Sequence, residues 1–165
     1  MGKWFVVAST LPLWKGKKNV TITYTPIDGQ PKTTFNEYDL FLYSPILSHQ
    51  VNSIVEYHSS KSALPTASKS TVKGVDRLDE APLSTGKKSG AKWNWRGKGW
   101  LKIASSRWQL LGYHVGVEDE PEWVVTYFGK TLFTPAGLDV YARSGTALSK
   151  EMREAIIEVR REFFA

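Results

Sequence analysis

Cysteine is absent from the 165 residues, methionine occurs twice and histidine three times. Without cysteine there is no disulfide framework, no thiolate metal site and no cysteine nucleophile. His49, His58 and His114 form neither a His-x-Glu nor a His-x-x-x-His spacing, so neither a metal nor another cofactor is expected. No Gly-x-Ser-x-Gly elbow occurs, and Gly97-Lys98-Gly99 is too short to cradle a phosphate. No apolar run approaches the length of a bilayer crossing, so no membrane span is expected. Met1-Gly2-Lys3-Trp4 enters a strand pattern at once, with no secretory leader, which places the protein in the cytoplasm as an expectation.

What remains is an ordinary globular balance of 41% apolar and 23% charged residues, enough for one domain over residues 1–165. The aromatic load is heavier, with seven each of Trp, Tyr and Phe, and it needs an explanation. The 22 basic against 16 acidic side chains give a formal +6, which permits polyanion binding without requiring it.

Short strand patterns fill residues 3–143, and one helix follows. Strands are predicted at Trp4–Ser9, Val20–Tyr24, Phe35–Tyr43 and Thr71–Arg77. The second half is denser, with strands predicted at Lys92–Ile103, Arg107–Val115, Trp123–Phe128, Lys130–Thr134 and Leu138–Arg143. Between the two halves, residues 44–91 read as a long irregular insertion, capable of covering a cavity mouth. The helix is predicted over residues 149–164, with Ser149 as N-cap and Met152, Ile156, Val159 and Phe163 as one apolar stripe. Short connections favour antiparallel neighbours, and about eight strands without helical crossovers favour a closed barrel. The expected fold is therefore all-β: an eight-stranded antiparallel up-and-down barrel with the C-terminal helix packed outside.

Two motifs sharpen that expectation. Gly2-Lys3-Trp4 opening the first strand is similar to the Gly-x-Trp signature of the lipocalins, in the calycin superfamily. Leu138-Asp139-Val140-Tyr141-Ala142-Arg143 leading towards the final helix resembles their last strand and its terminal Arg. The resemblance implies that Arg143 packs across Trp4 at the closed end of the barrel. The stretch Val124–Gly129 departs from the family pattern by lacking its Asp. Absence of cysteine resembles the intracellular members. The implied function is binding of one small hydrophobic molecule, of fatty acid, polyketide or terpenoid type.

The candidate ligand-binding residues are Trp93, Trp95, Leu101 and Ile103, spaced along one face of the long predicted strand, with Trp108, Tyr113, Trp123, Tyr127, Phe133 and Tyr141 on the strands that follow. Each ring can instead fill the barrel as plain core, and Gly97 and Gly99 can mark a bend rather than room for a ligand. Two other readings stand beside simple binding. Some lipocalin-like barrels of microbial secondary metabolism, which this layout resembles, act as cyclases or isomerases, folding a bound intermediate into a reactive shape. No catalytic residue for that is assigned, although His114, close in sequence to Glu118-Asp119-Glu120, is a candidate acid or base against the alternative of a solvated rim histidine. Residues 87–102 interleave Lys87, Lys88, Lys92, Arg96, Lys98 and Lys102 with Trp93, Trp95 and Trp100, a composition used for single-stranded nucleic acid. The competing explanation is an alternating strand whose basic half faces water, forming a basic mouth for an anionic ligand.

Overall fold

A computed structural model describes residues 2–27, 50–59, 61, 68–80, 91–114, 122–132, 134–145 and 149–164. Eight strands close into one barrel in sequence order: β1 Gly2–Ser9, β2 Lys17–Pro26, β3 Gln50–Ser59, β4 Ser70–Glu80, β5 Lys92–Gly97, β6 Ser105–His114, β7 Trp123–Phe128 and β8 Gly137–Ala142. Every neighbouring pair is antiparallel, and β1 pairs with β8 to complete the ring. This is the all-β up-and-down architecture expected from the strand pattern. Among the described strands, closure leaves no unpaired edge to recruit another chain.

Alternation sorts each strand into an inner and an outer set. In β4, Val72, Gly74, Asp76 and Leu78 face inward, while Lys73, Arg77 and Asp79 face out, as shown by the residues that line the interior and those left exposed. In β8 the inner set is Asp139 and Tyr141, and the outer set is Leu138, Val140 and Ala142. That outer set is apolar because the helix α1, Lys150–Phe164, covers it. Met152 is buried there with Ala155 and Ile156 against Trp123, Val125, Val140 and Ala142. Ser149 caps α1, its hydroxyl accepting from the Met152 amide at 3.1 Å.

Three expected elements take a different form. The long strand predicted at Lys92–Ile103 stops at Gly97, and a 3₁₀ helix runs from Gly99 to Ile103. The cause is local: the Gly97 amide donates to the Ala104 carbonyl, and Leu101 folds back so closely that a Cβ on Gly97 would meet its carbonyl oxygen at 2.4 Å. Residues 44–91, expected to be an irregular insertion, carry two full barrel strands, β3 and β4. Thr131 and Thr134 close a turn between β7 and β8 through a 2.9 Å backbone hydrogen bond, in place of the strand predicted at Lys130–Thr134. The strand predicted at Phe35–Tyr43 lies outside the described residues.

At the end where β1 begins and β8 finishes, the Arg143 guanidinium lies 3.7 Å from the centre of the Trp4 ring. It also donates to Glu122 Oε2 at 2.6 Å and to the Lys3 carbonyl at 3.2 Å. One side chain thereby ties β1, β8 and the residue before β7. Replacing Arg143 by Met keeps the aliphatic stem and removes these contacts. Stability should fall by about 1–2 kcal/mol, the worth of a half-exposed cation–π contact with an ion pair. Urea unfolding measures this as a lower midpoint at an unchanged slope; an unchanged midpoint would show the tie to be idle.

Candidate functional site

Among the described residues, the opposite end of the barrel is open. The connections β1–β2, β5–β6 and β7–β8 meet there and surround a cavity of about 280 Å³. This is near the lower end of ligand pockets, which run from about 300 to 1,000 Å³. Leu11, Leu13 and Trp14 form one side of the mouth, Leu101 and Ala104 another, and Thr131 and Thr134 a third. Trp14 belongs to a one-turn 3₁₀ helix, Pro12–Trp14, that starts on the fixed φ of Pro12. Lys17 stands at the rim with its ammonium over the rings of Tyr57, at 4.3 Å, and Trp14, at 5.3 Å. Partial burial lowers its pKa from the ordinary lysine value.

Below the mouth the walls are largely aromatic. Trp108 is stacked on Trp93 at 5.5 Å and on Phe128 at 6.1 Å, and Tyr24 tilts against it at 6.4 Å. The Trp95 indole lies over Gly74, where a Cβ would fall 2.0 Å from its Nε1, and it donates to Ser53 Oγ at 3.1 Å. Only glycine fits beneath that ring.

Two carboxyl groups interrupt this apolar lining. Asp76 is 1% exposed; its Oδ1 accepts from Trp108 Nε1 at 2.7 Å, and its Oδ2 has no partner of hydrogen-bond geometry among the described residues, the Ser53 hydroxyl being close enough to lower the carboxyl's pKa but not aligned on it. Burial pushes the Asp76 carboxyl up to about 6, with the Ser53 hydroxyl and the Trp108 indole pulling the other way. Asp139 is fully buried and accepts from Ser9 Oγ, from Trp14 Nε1 at 2.9 Å and from the Tyr141 hydroxyl at 3.4 Å. Its carboxyl is raised by burial and held back by those three donors. The Tyr24 and Tyr141 phenols are raised well above the usual tyrosine value, first by burial and then by the field of the carboxylates. Two carboxyls and two phenols thus share one small, largely apolar chamber.

The structure brings together four of the residues expected to bind a ligand: Trp95, Leu101, Trp108 and Tyr141 all line the cavity. Trp93 supports it from behind, buried beneath Trp108. Tyr113 pairs with Val124 on the inward-facing register of β6 but stands beyond the cavity, towards the Trp4 end. Ile103 is not a wall residue; it sits in the 3₁₀ helix and is 81% exposed. Trp123 and Tyr127 belong to the outer set of β7 and pack beneath α1, because covering by the helix makes that face as apolar as the inner one. His114 also faces outward, its ring stacked on Trp123 at 6.1 Å, and so is no interior acid or base. Phe133 and Glu118–Glu120 lie outside the described residues. Trp14, Asp76 and Asp139 were not anticipated.

Asp76 makes stability depend on pH in a fixed direction. Its folded-state value of about 6 lies above the ordinary 3.8, so the folded protein holds this proton more tightly than the unfolded chain. The resulting stabilisation is complete below about pH 4 and is lost as pH rises through about 6. Asp76→Asn keeps an acceptor for Trp108 and removes the charge. Measured by urea unfolding, the variant should gain on the wild type between pH 4 and 7, by up to about 3 kcal/mol. A difference that stays flat across that range would mean that Asp76 is not the group described. No protein-family model matches the chain and no curated protein matches it either, so a function has to be read from this geometry.

Proposed function

We propose that the barrel is lipocalin-like and binds one small, mainly hydrophobic molecule carrying a hydroxyl or amino group. The reading is carried by Asp76, a carboxyl buried in the wall of an aromatic cavity with one oxygen lacking a hydrogen-bond partner. Leaving such an atom unsatisfied costs free energy, and a ligand donor at the chamber floor supplies what is missing. The stacked rings of Trp93, Trp108 and Phe128 provide the apolar wall for the rest of the ligand. The Gly-x-Trp opening and the Arg143–Trp4 contact at the closed end support the kinship with lipocalins.

The two carboxyls narrow the ligand class. A fatty acid carboxylate at the floor would be a third acid beside Asp76 and Asp139, so a carboxylate-bearing ligand is accommodated only with that group at Lys17. The basic, Trp-rich stretch presents little for nucleic acid to stack on. Trp93 is buried, Trp95 is in the cavity, and of its three indoles Trp100 alone is largely exposed.

One observation favours the catalytic alternative, a cyclase or isomerase. A carboxyl titrating at about 6 beside a phenol inside an apolar chamber can exchange a proton with a bound substrate near neutral pH. Finding a rearranged product after incubation with a hydrophobic biosynthetic intermediate, absent with Asp76→Asn, would favour that alternative.

Displacement of a fluorescent apolar probe tests the binding reading. Among medium-chain compounds of equal length, the amine and the alcohol should bind roughly tenfold or more tightly than the alkane at pH 7.5. Asp76→Asn should abolish most of the preference for the amine. Equal affinity for alkane and amine in the wild type would remove the ground for the proposal.

A further inference from the structure

Among the described residues, large hydrophobic side chains that water can reach are concentrated at one end of the barrel. Trp100 is 85% exposed, Ile103 81%, Leu132 94% and Leu13 42%. They come from three separate connections, β1–β2, β5–β6 and β7–β8, which an up-and-down barrel gathers at the same rim. The other exposed large hydrophobic among the described residues is Ile157, on α1. A monomer in water gains nothing from placing a Trp and two long aliphatic chains outward around one opening.

Among the described residues, the unpaired exposed charges at this rim have one sign. Lys15, Lys98, Lys102, Arg107 and Lys130 are all exposed there. The described carboxylates nearest this end are Glu56, already paired with Lys69 at 2.8 Å, and Asp139, inside the barrel. Ile103 and Leu132 also share the lining of a shallow groove of about 320 Å³ with Arg107 and Lys130, which sets basic groups directly beside the apolar tips.

We infer that the open end of the barrel docks on an anionic bilayer surface, with Trp100, Ile103 and Leu132 entering the interfacial layer and the lysines meeting lipid phosphates. An exposed indole suits that layer, being apolar in body and polar at its N–H. Aliphatic tips gain by leaving water for acyl chains, and rim cations gain from the negative surface potential. Nucleic acid fits less well, because Ile103, Leu132 and Leu13 have no face on which a base can stack. The surface is independent of what the cavity holds. Docking in this orientation points the cavity mouth at the lipid, so a hydrophobic ligand can pass between membrane and barrel without crossing water.

Co-sedimentation with phosphatidylcholine vesicles, with and without phosphatidylserine, tests the inference. The wild type should bind the phosphatidylserine vesicles, less tightly as salt is raised. The double variant Trp100→Ser/Ile103→Ser should lose roughly tenfold or more in vesicle affinity. Lys102→Glu/Lys130→Glu should lose a similar factor, but only on phosphatidylserine vesicles. Ile157→Ser, which removes an exposed apolar side chain away from the rim, should bind as the wild type does. Unchanged circular dichroism and probe displacement in each variant would show that fold and cavity are intact. Failure of the wild type to bind, or undiminished binding by Trp100→Ser/Ile103→Ser, overturns the inference. A single-stranded oligonucleotide that binds more tightly than the vesicles also overturns it, and assigns the rim to nucleic acid.

Discussion

The hydrogen bond from Trp108 to Asp76 is the interaction on which the interior of this protein depends. It joins one indole of the cavity wall to a carboxyl whose ionised form burial disfavours. Trp108 in turn packs against Trp93, Phe128 and Tyr24, so this cluster of rings is oriented from one polar contact. Asp139 plays a similar part nearer the mouth, holding Trp14 over the opening while Tyr141 reaches it from its own strand. The cavity is therefore an apolar chamber organised around two acids. On the proposed function, that organisation favours a ligand donor over a ligand acceptor at the floor.

The two ends of the barrel divide the work. At one end Arg143, Trp4 and Glu122 tie the closing strands, and the contact is structural. At the other, the connections that form the mouth also carry the exposed apolar tips and the lysines. Leu101 shows how closely cavity and rim are related. It lines the cavity from the same short 3₁₀ helix that projects Trp100 and Ile103 into solvent.

The barrel, its helix and its closed end were legible in the sequence because each rests on a local signal. Period-two alternation marks the strands, the Met152–Ile156 spacing marks the helix face, and Gly2-Lys3-Trp4 with Arg143 marks the closing strands. The site was harder to read. In β7 the inner set Val124, Thr126, Phe128 and the outer set Trp123, Val125, Tyr127 are both largely apolar. Alternation alone could not tell them apart until α1 was known to cover the second. In β4 the signal was present and unused: Lys73, Arg77 and Asp79 share one parity, which puts Asp76 on the other with Val72 and Leu78. Trp14 lies between strands, where periodicity says nothing, and only the bond to Asp139 gives it a place in the site.

The central claim is that Asp76 is a buried carboxyl awaiting a ligand's hydrogen-bond donor. Carbon-13 NMR of the aspartate side-chain carboxyls, with Asp76 assigned by its absence in Asp76→Asn, measures this directly. The account predicts a midpoint near 6 in the free protein, moving down when a medium-chain amine is bound, because the ammonium stabilises the ionised form. A midpoint in the ordinary aspartate range, or one that a bound amine leaves unmoved, would contradict it.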